Sequence, residues 1–158
     1  MKIEELERAV RELQDIEEIK KVHARYAYHV DSQEWDRVVE LFTEDAVADW
    51  GGSRGRFQGK EEIARFFKEN VPRSATMLRH MMIQPLIEVE GDRAKARLYL
   101  FSMGTYRLPQ GDTAVWTHGE YRNELVRQGG QWKIARLNFE ATFRTPYHDG
   151  WVKTPKAF

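Results

Sequence analysis

The sequence predicts an α+β fold: a cone-shaped, curved antiparallel sheet packed against three N-terminal helices and enclosing a pocket. Three observations predict it. As far as residue 70, apolar residues recur mostly at intervals of three and four, the helical period. From Met77 onward the period becomes two, sustained over long runs. Those runs are separated by Gly91-Asp92, by Leu108-Pro109-Gln110-Gly111 and by Gly129-Gly130, which return one strand antiparallel to the last.

Each element follows from local pattern. Ile3, Leu6, Val10, Leu13, Ile16, Ile19, His23, Tyr26 and Val30 form one stripe with a polar back of Glu, Arg, Lys and Gln, giving one long helix or two in sequence. Asp31-Ser32 interrupts it. Glu34 to Phe42 reads as a short second helix, stopped by Thr43-Glu44-Asp45, and Ala46 to Trp50 as a short strand running into Gly51-Gly52. Gly59 precedes a third helix, Lys60 to Asn70, which buries Ile63, Phe66 and Phe67 and is stopped by Pro72. The strands are Met77 to Glu90, Arg93 to Arg107, Thr113 to Arg127 and Gln131 to Arg144. On the first of them His80 and Met82 share one face, while Ile87 and Val89 continue the apolar face in the opposite phase. A bulge near Gln84-Pro85 reconciles the two.

Composition limits the function classes. The 158 residues fit one domain spanning 1–158, with no stretch that reads as a linker. A 41% hydrophobic fraction supports a core, and 25 basic residues balance 25 acidic ones, interspersed rather than concentrated, so no nucleic-acid partner is expected. The absence of cysteine excludes disulfides, thiolate catalysis and cysteine-bound metal. The acidic, amphipathic start does not read as a signal peptide, and no apolar run approaches the roughly 20 residues needed to span a bilayer. A cytoplasmic protein without a membrane partner is the expectation.

Two polar residues stand where the pattern is otherwise hydrophobic: Asp31 at the end of the first helix and His80 on the first long strand. Brought together, they would make an oriented general base. Asp31 also has a structural reading, as the N-cap of the second helix with Glu34 three residues on. Tyr26, on the helix stripe, is either packing or a hydroxyl donor to a substrate oxygen. His23 on the same stripe reads as a core histidine satisfied by a backbone carbonyl. His118 shares its strand face with Trp116, Glu120 and Arg122, opposite the apolar face of Val115, Gly119 and Tyr121, and is therefore not a site candidate. His29 and Asp31 lie close in sequence without further ligands, so no metal is expected. No phosphate loop, nucleophile elbow or dinucleotide fingerprint is present. No cofactor is expected.

The stretch from Ile16 to Trp50 resembles the opening of SnoaL-like proteins of the nuclear transport factor 2-like superfamily. So do Phe57 to Ile63, the histidine before Gln84-Pro85, Gly91-Asp92-Arg93-Ala94, and Gly119-Glu120-Tyr121 through Gly130-Gln131-Trp132-Lys133-Ile134. The layout is most similar to the scytalone dehydratase, bile acid 7α-dehydratase and hexachlorocyclohexane dehydrochlorinase families. The resemblance implies that Asp31 and His80 occupy the positions of a catalytic aspartate and histidine, with Tyr26 at the position of a tyrosine of the bile-acid enzymes. It departs from scytalone dehydratase where Ser102-Met103-Gly104 replaces a second pocket histidine, and where Val30 and Trp50 replace a pair of tyrosines.

The function this implies is a cofactor-independent lyase, a dehydratase of a small, apolar hydroxylated carbonyl compound. His80 is its base, Asp31 the orienting carboxylate and Tyr26 the donor. Trp50, Met82, Met103, Tyr121, Phe139 and Phe143 are expected as pocket walls, with the aromatic tail from Tyr147 and Trp151 to Phe158 closing the mouth. An isomerase or polyketide cyclase would use the same base, and a non-catalytic small-molecule-binding module the same cavity. A homo-oligomer is expected, a trimer in preference to a dimer.

Overall fold

The computed structural model describes residues 2–52 and 54–158. Helix α1 (Ile3–Asp31) leads through a turn at Gln33, whose φ of 58° reverses the chain, into α2 (Trp35–Glu40). Strand β1 (Phe42–Asp49) and the three-residue β2 (Arg56–Gln58) follow, then α3 (Lys60–Arg65). A π-helical turn over Phe66–Asn70 continues α3 into the single turn α4 (Val71–Ser74). Four long strands complete the sheet: β3 (Ala75–Glu90), β4 (Arg93–Leu108), β5 (Gly111–Gln128) and β6 (Gln131–Pro146). A short α5 (Gly150–Lys153) lies in the tail.

The fold is therefore α+β, N-terminal helices followed by a curved six-stranded sheet in the order β2-β1-β6-β5-β4-β3. Pairing is antiparallel throughout except between β1 and β6, which run parallel. Two local expectations are corrected, and one short strand is added. Phe42, expected to end the second helix, opens β1 as a fully buried residue. Strand β2 is too short for its period to show in the sequence. Pro72 does not stop the third helix: the π turn, in which the Val71 N–H reaches the Phe66 carbonyl, resets the hydrogen-bond register just before the proline, which then falls in the first turn of α4.

The bulge expected near Gln84-Pro85 is present. Register shifts between Ile83 and Leu86, and Gln84 takes a φ of 54°. Helix α1 packs along β3 and touches β6. Its second half contributes Ile19, Val22, Tyr26 and Val30 to the core, whereas Ile3, Leu6, Val10 and Leu13 are exposed because that part of the helix projects beyond the sheet. Asp15 fastens the middle of the helix. Its carboxylate accepts bonds of 2.7 and 2.9 Å from the two terminal nitrogens of Arg127 and one of 3.0 Å from the Trp132 indole N–H. That paired donation holds Asp15 below the usual carboxylate range.

The inner face of the sheet is lined by Ala96, Leu98 and Leu100 from β4, Val115, Tyr121 and Leu125 from β5, and Ile134, Leu137 and Phe139 from β6. Gly119 has no side chain because there is no room for one: a Cβ there would sit 2.4 Å from the Glu140 carbonyl oxygen and 2.5 Å from the Phe139 ring. Phe139 thus lies flat over β5 and meets Tyr121 at a ring separation of 4.8 Å.

Candidate active site

Asp31 is the last residue of α1, and β3 passes directly beside it. Its Oδ2 accepts the His80 backbone N–H at 2.9 Å, and its Oδ1 lies 2.6 Å from His80 Nδ1. A carboxylate only accepts, so Nδ1 carries a proton, and in the neutral ring Nε2 keeps its lone pair. Both side chains are largely buried. Asp31 does not cap α2: the N-cap there is Glu34, whose carboxylate instead takes His29 Nδ1 at 2.6 Å.

His80 lines a cavity of about 40 Å³ on the inner face of the sheet, under α1, the π turn and α4. Tyr26, Trp50, Tyr121 and Phe139 line it too. Trp50 stacks on Phe66 at 4.0 Å and meets Phe67 edge-on at 5.4 Å, which fixes the indole as a wall. The Tyr26 ring is wedged edge-on among Phe42, Phe67 and Tyr121. Its burial pushes the phenol up to about 12, against the opposing pull of Trp50, Tyr121 and Arg54. Tyr26 therefore stays protonated, a donor, at any physiological pH. Burial likewise pushes Tyr121 well up.

The remaining expected wall residues lie elsewhere. Met82 is half-buried in a neighbouring groove between α1 and β3, beside Asp31 and Leu98. Met103 is on the outer face, paired with Trp116, because Ser102 and Gly104 are the inward positions of β4. Phe143 is also on the outer face, where it stacks on His118 and Trp151. The reason is a bulge in β6: Gly119 pairs with Ala141 but His118 with Phe143, so Thr142 is extra and the phase inverts. The inversion turns Arg144 inward, where it is 7% exposed. The tail divides in the same way. Tyr147 and Trp151 cover the outer face, whereas the ring of Phe158 lies 5.1 Å from the Tyr106 ring and 5.0 Å from the Arg144 guanidinium, both cavity residues.

Periodicity did not point to Arg54, Thr117 or Arg144 as cavity residues. Arg54 comes from an irregular turn, and Arg144 lies beyond the bulge. Thr117 carried the only available signal, its place in the inward phase of β5. His23 is in the core, with Nδ1 2.9 Å from the Ile19 carbonyl and Nε2 3.0 Å from Asn123 Nδ2. His118 faces outward beside Tyr99. Among the described residues no cluster of three or more His, Cys, Asp or Glu could hold a metal ion, and no helix is long and apolar enough to cross a membrane.

The arrangement offers one imidazole nitrogen free to take a proton, a carboxylate to orient it, and a phenol that stays protonated, all at an aromatic cavity. A SnoaL-like domain model matches residues 11–138. Among solved structures, a candidate aromatic ring hydroxylase from Novosphingobium aromaticivorans is 30% identical, covering 87% of this chain and 96% of that one, with a TM-score of 0.76. A candidate scytalone dehydratase from the same organism is 22% identical over 87% and 90% of the two chains, with a TM-score of 0.76. A type 2 hexachlorocyclohexane dehydrochlorinase is 20% identical over 87% and 92%, with a TM-score of 0.80. The last two likenesses are of fold.

Proposed function

Since the chain belongs to the SnoaL-like domain family, we propose that it is a cofactor-independent lyase, a dehydratase of a small hydroxylated carbonyl compound. The observation that carries this reading is the 2.6 Å contact between His80 Nδ1 and Asp31 at the edge of an aromatic cavity. His80 Nε2 takes the proton from the carbon next to the substrate carbonyl, and the electron pair moves onto the carbonyl oxygen. Asp31 stabilises the imidazolium as it forms. Tyr26 donates to the oxygen on which charge develops. The enolate then expels the hydroxyl from the neighbouring carbon, with the imidazolium proton completing the departing water. Trp50, Tyr121 and Phe139 exclude solvent from these steps.

The test is a panel of β-hydroxy carbonyl compounds incubated with the wild type and with His80→Ala. The expected result is formation of a conjugated carbonyl product, followed by its absorbance, and a loss on the order of 10² to 10⁴ in rate for the variant. Equal turnover by the two proteins would rule out His80 as the base. Deuterium exchange from solvent into the substrate without loss of water would point to the isomerase or cyclase reading, which shares the first step. A ligand bound and never altered would favour the binding module.

The reading extends to assembly. Ile3, Leu6, Val10 and Leu13 on α1, and Tyr99 and Met103 on the outer face of the sheet, are apolar and exposed, which favours a homo-oligomer; the resemblance to the dehydratases favours a trimer over a dimer. Sedimentation velocity at micromolar concentration checks this, and a monomer there would overturn it.

A further inference from the structure

Four buried side-chain polar atoms among the described residues have no hydrogen-bond partner, and three of them belong to residues that line one cavity: Arg54 Nε, Thr117 Oγ1 and Arg144 Nε. Buried polar groups are ordinarily satisfied, because desolvating one without a partner carries a penalty of its own. A cluster of exceptions inside the candidate active site therefore points to a ligand. No Asp or Glu lines this cavity. Burial pushes the Arg144 guanidinium down to about 10, and the nearby Arg54 adds to that, with only the phenols Tyr106 and Tyr121 on the other side. Arg144 is still a cation at neutral pH. Two guanidiniums thus share an aromatic enclosure with no resident anion.

Their position relative to His80 is set by the sheet. His80 pairs with Ser102, Ser102 with Thr117, and Thr117 with Arg144, so these four residues form one row across β3, β4, β5 and β6. The base stands at one end and the guanidinium at the other, with backbones roughly 14 Å apart across three strand spacings. Arg54 closes over the same end, its guanidinium 5.3 Å from the Tyr106 ring beneath it.

We propose that Arg54, Arg144 and Thr117 form an anion subsite for a carboxylate of the substrate, which anchors the molecule at the far end of the row and presents its acidic carbon to His80. This deepens the lyase reading and rests on it for the placement of the reacting carbon. A guanidinium fork matches a carboxylate edge to edge, and the Thr117 hydroxyl supplies a further donor. A phosphate has the same recognition chemistry but is bulkier and more heavily charged, and it suits this small aromatic enclosure less.

Isothermal titration calorimetry with benzoate and crotonate, against benzamide and crotonamide, tests the subsite directly. The wild type should bind each carboxylate about tenfold or more tightly than its amide. The preference should collapse toward parity in Arg144→Met and in Arg54→Gln, and persist in His80→Ala. Arg54 is only half-buried, so its variant serves if Arg144→Met does not fold. A thermal melt adds a second readout. With no ligand present, Arg144→Met should melt within about a degree of the wild type, because the loss of its contact with the Phe158 ring is offset by removing a buried cation without a counter-anion; a large drop would mark Arg144 as structural and count against the subsite. Amides that bind the wild type as well as the carboxylates, or a preference that survives in both arginine variants, would overturn the subsite. Inorganic phosphate binding tenfold more tightly than benzoate would overturn the carboxylate assignment. A protein that binds benzoate selectively yet turns over nothing would sink the lyase reading and leave the subsite standing.

Discussion

Asp31→Asn should lower turnover on the order of 10² to 10⁴ with little change in melting temperature. The carboxylate makes two contacts with His80, accepting the backbone N–H through Oδ2 and facing Nδ1 through Oδ1. An asparagine keeps one accepting oxygen and replaces the other with an amide NH₂. If its oxygen stays on the backbone N–H, the NH₂ faces Nδ1 and forces that nitrogen to accept. The imidazole then carries its proton on Nε2 and has no lone pair to offer the cavity. The strand contact survives, so the protein should fold, while the base is lost through its tautomer and through the missing counter-charge to the imidazolium. Circular dichroism melts alongside turnover on whichever substrate the panel identifies would check this. A kcat within twofold of the wild type would show that Asp31 only ties α1 to β3.

The second large effect is on stability in mild acid and comes from His23. Buried at 2% exposure, its imidazole is pushed down from 6.5 to about 4 by desolvation, against the pull of its bond to the Ile19 carbonyl. The neutral ring satisfies both neighbours: Nδ1 donates to that carbonyl and Nε2 accepts from the Asn123 amide, whose oxygen in turn takes the Asn138 N–H at 3.3 Å. Between pH 6.5 and about 4 the unfolded chain binds a proton here that the folded chain does not. Stability is therefore full above pH 6.5 and falls as pH drops through that window, by about 3 kcal/mol once pH 4 is reached. His23→Gln can make the same two bonds and does not titrate. Urea unfolding at pH 7 and pH 4.5 should show a smaller acid loss in the variant than in the wild type. Identical losses would place the acid sensitivity elsewhere.

Much of the site was legible because the two members of its dyad are marked by departures from a hydrophobic pattern. Asp31 and His80 are polar where periodicity calls for apolar residues, and Trp50, Tyr121 and Phe139 sit in inward phases that can be counted along short, regular stretches. Met103 and Phe143 were misplaced for a physical reason. Side chains on a strand alternate with a period of two, so a single extra residue inverts everything beyond it. Thr142 is such a residue, and no local signal announces it. The one bulge that could be anticipated, at Gln84-Pro85, betrayed itself because apolar residues on both sides recorded the change of phase.

The sequence by itself determined the helices, the long antiparallel strands and the polar residues that break their apolar faces, because periodicity and turn chemistry act over a few residues at a time. Only the tertiary structure decided which of these meet. Residues forty-nine positions apart join as a dyad because the end of α1 lies against β3. Arg54, Thr117 and Arg144 come to share one cavity because a bulge turns one strand over and an irregular turn folds across its end. Those outcomes depend on register and long-range packing, and no local pattern encodes them.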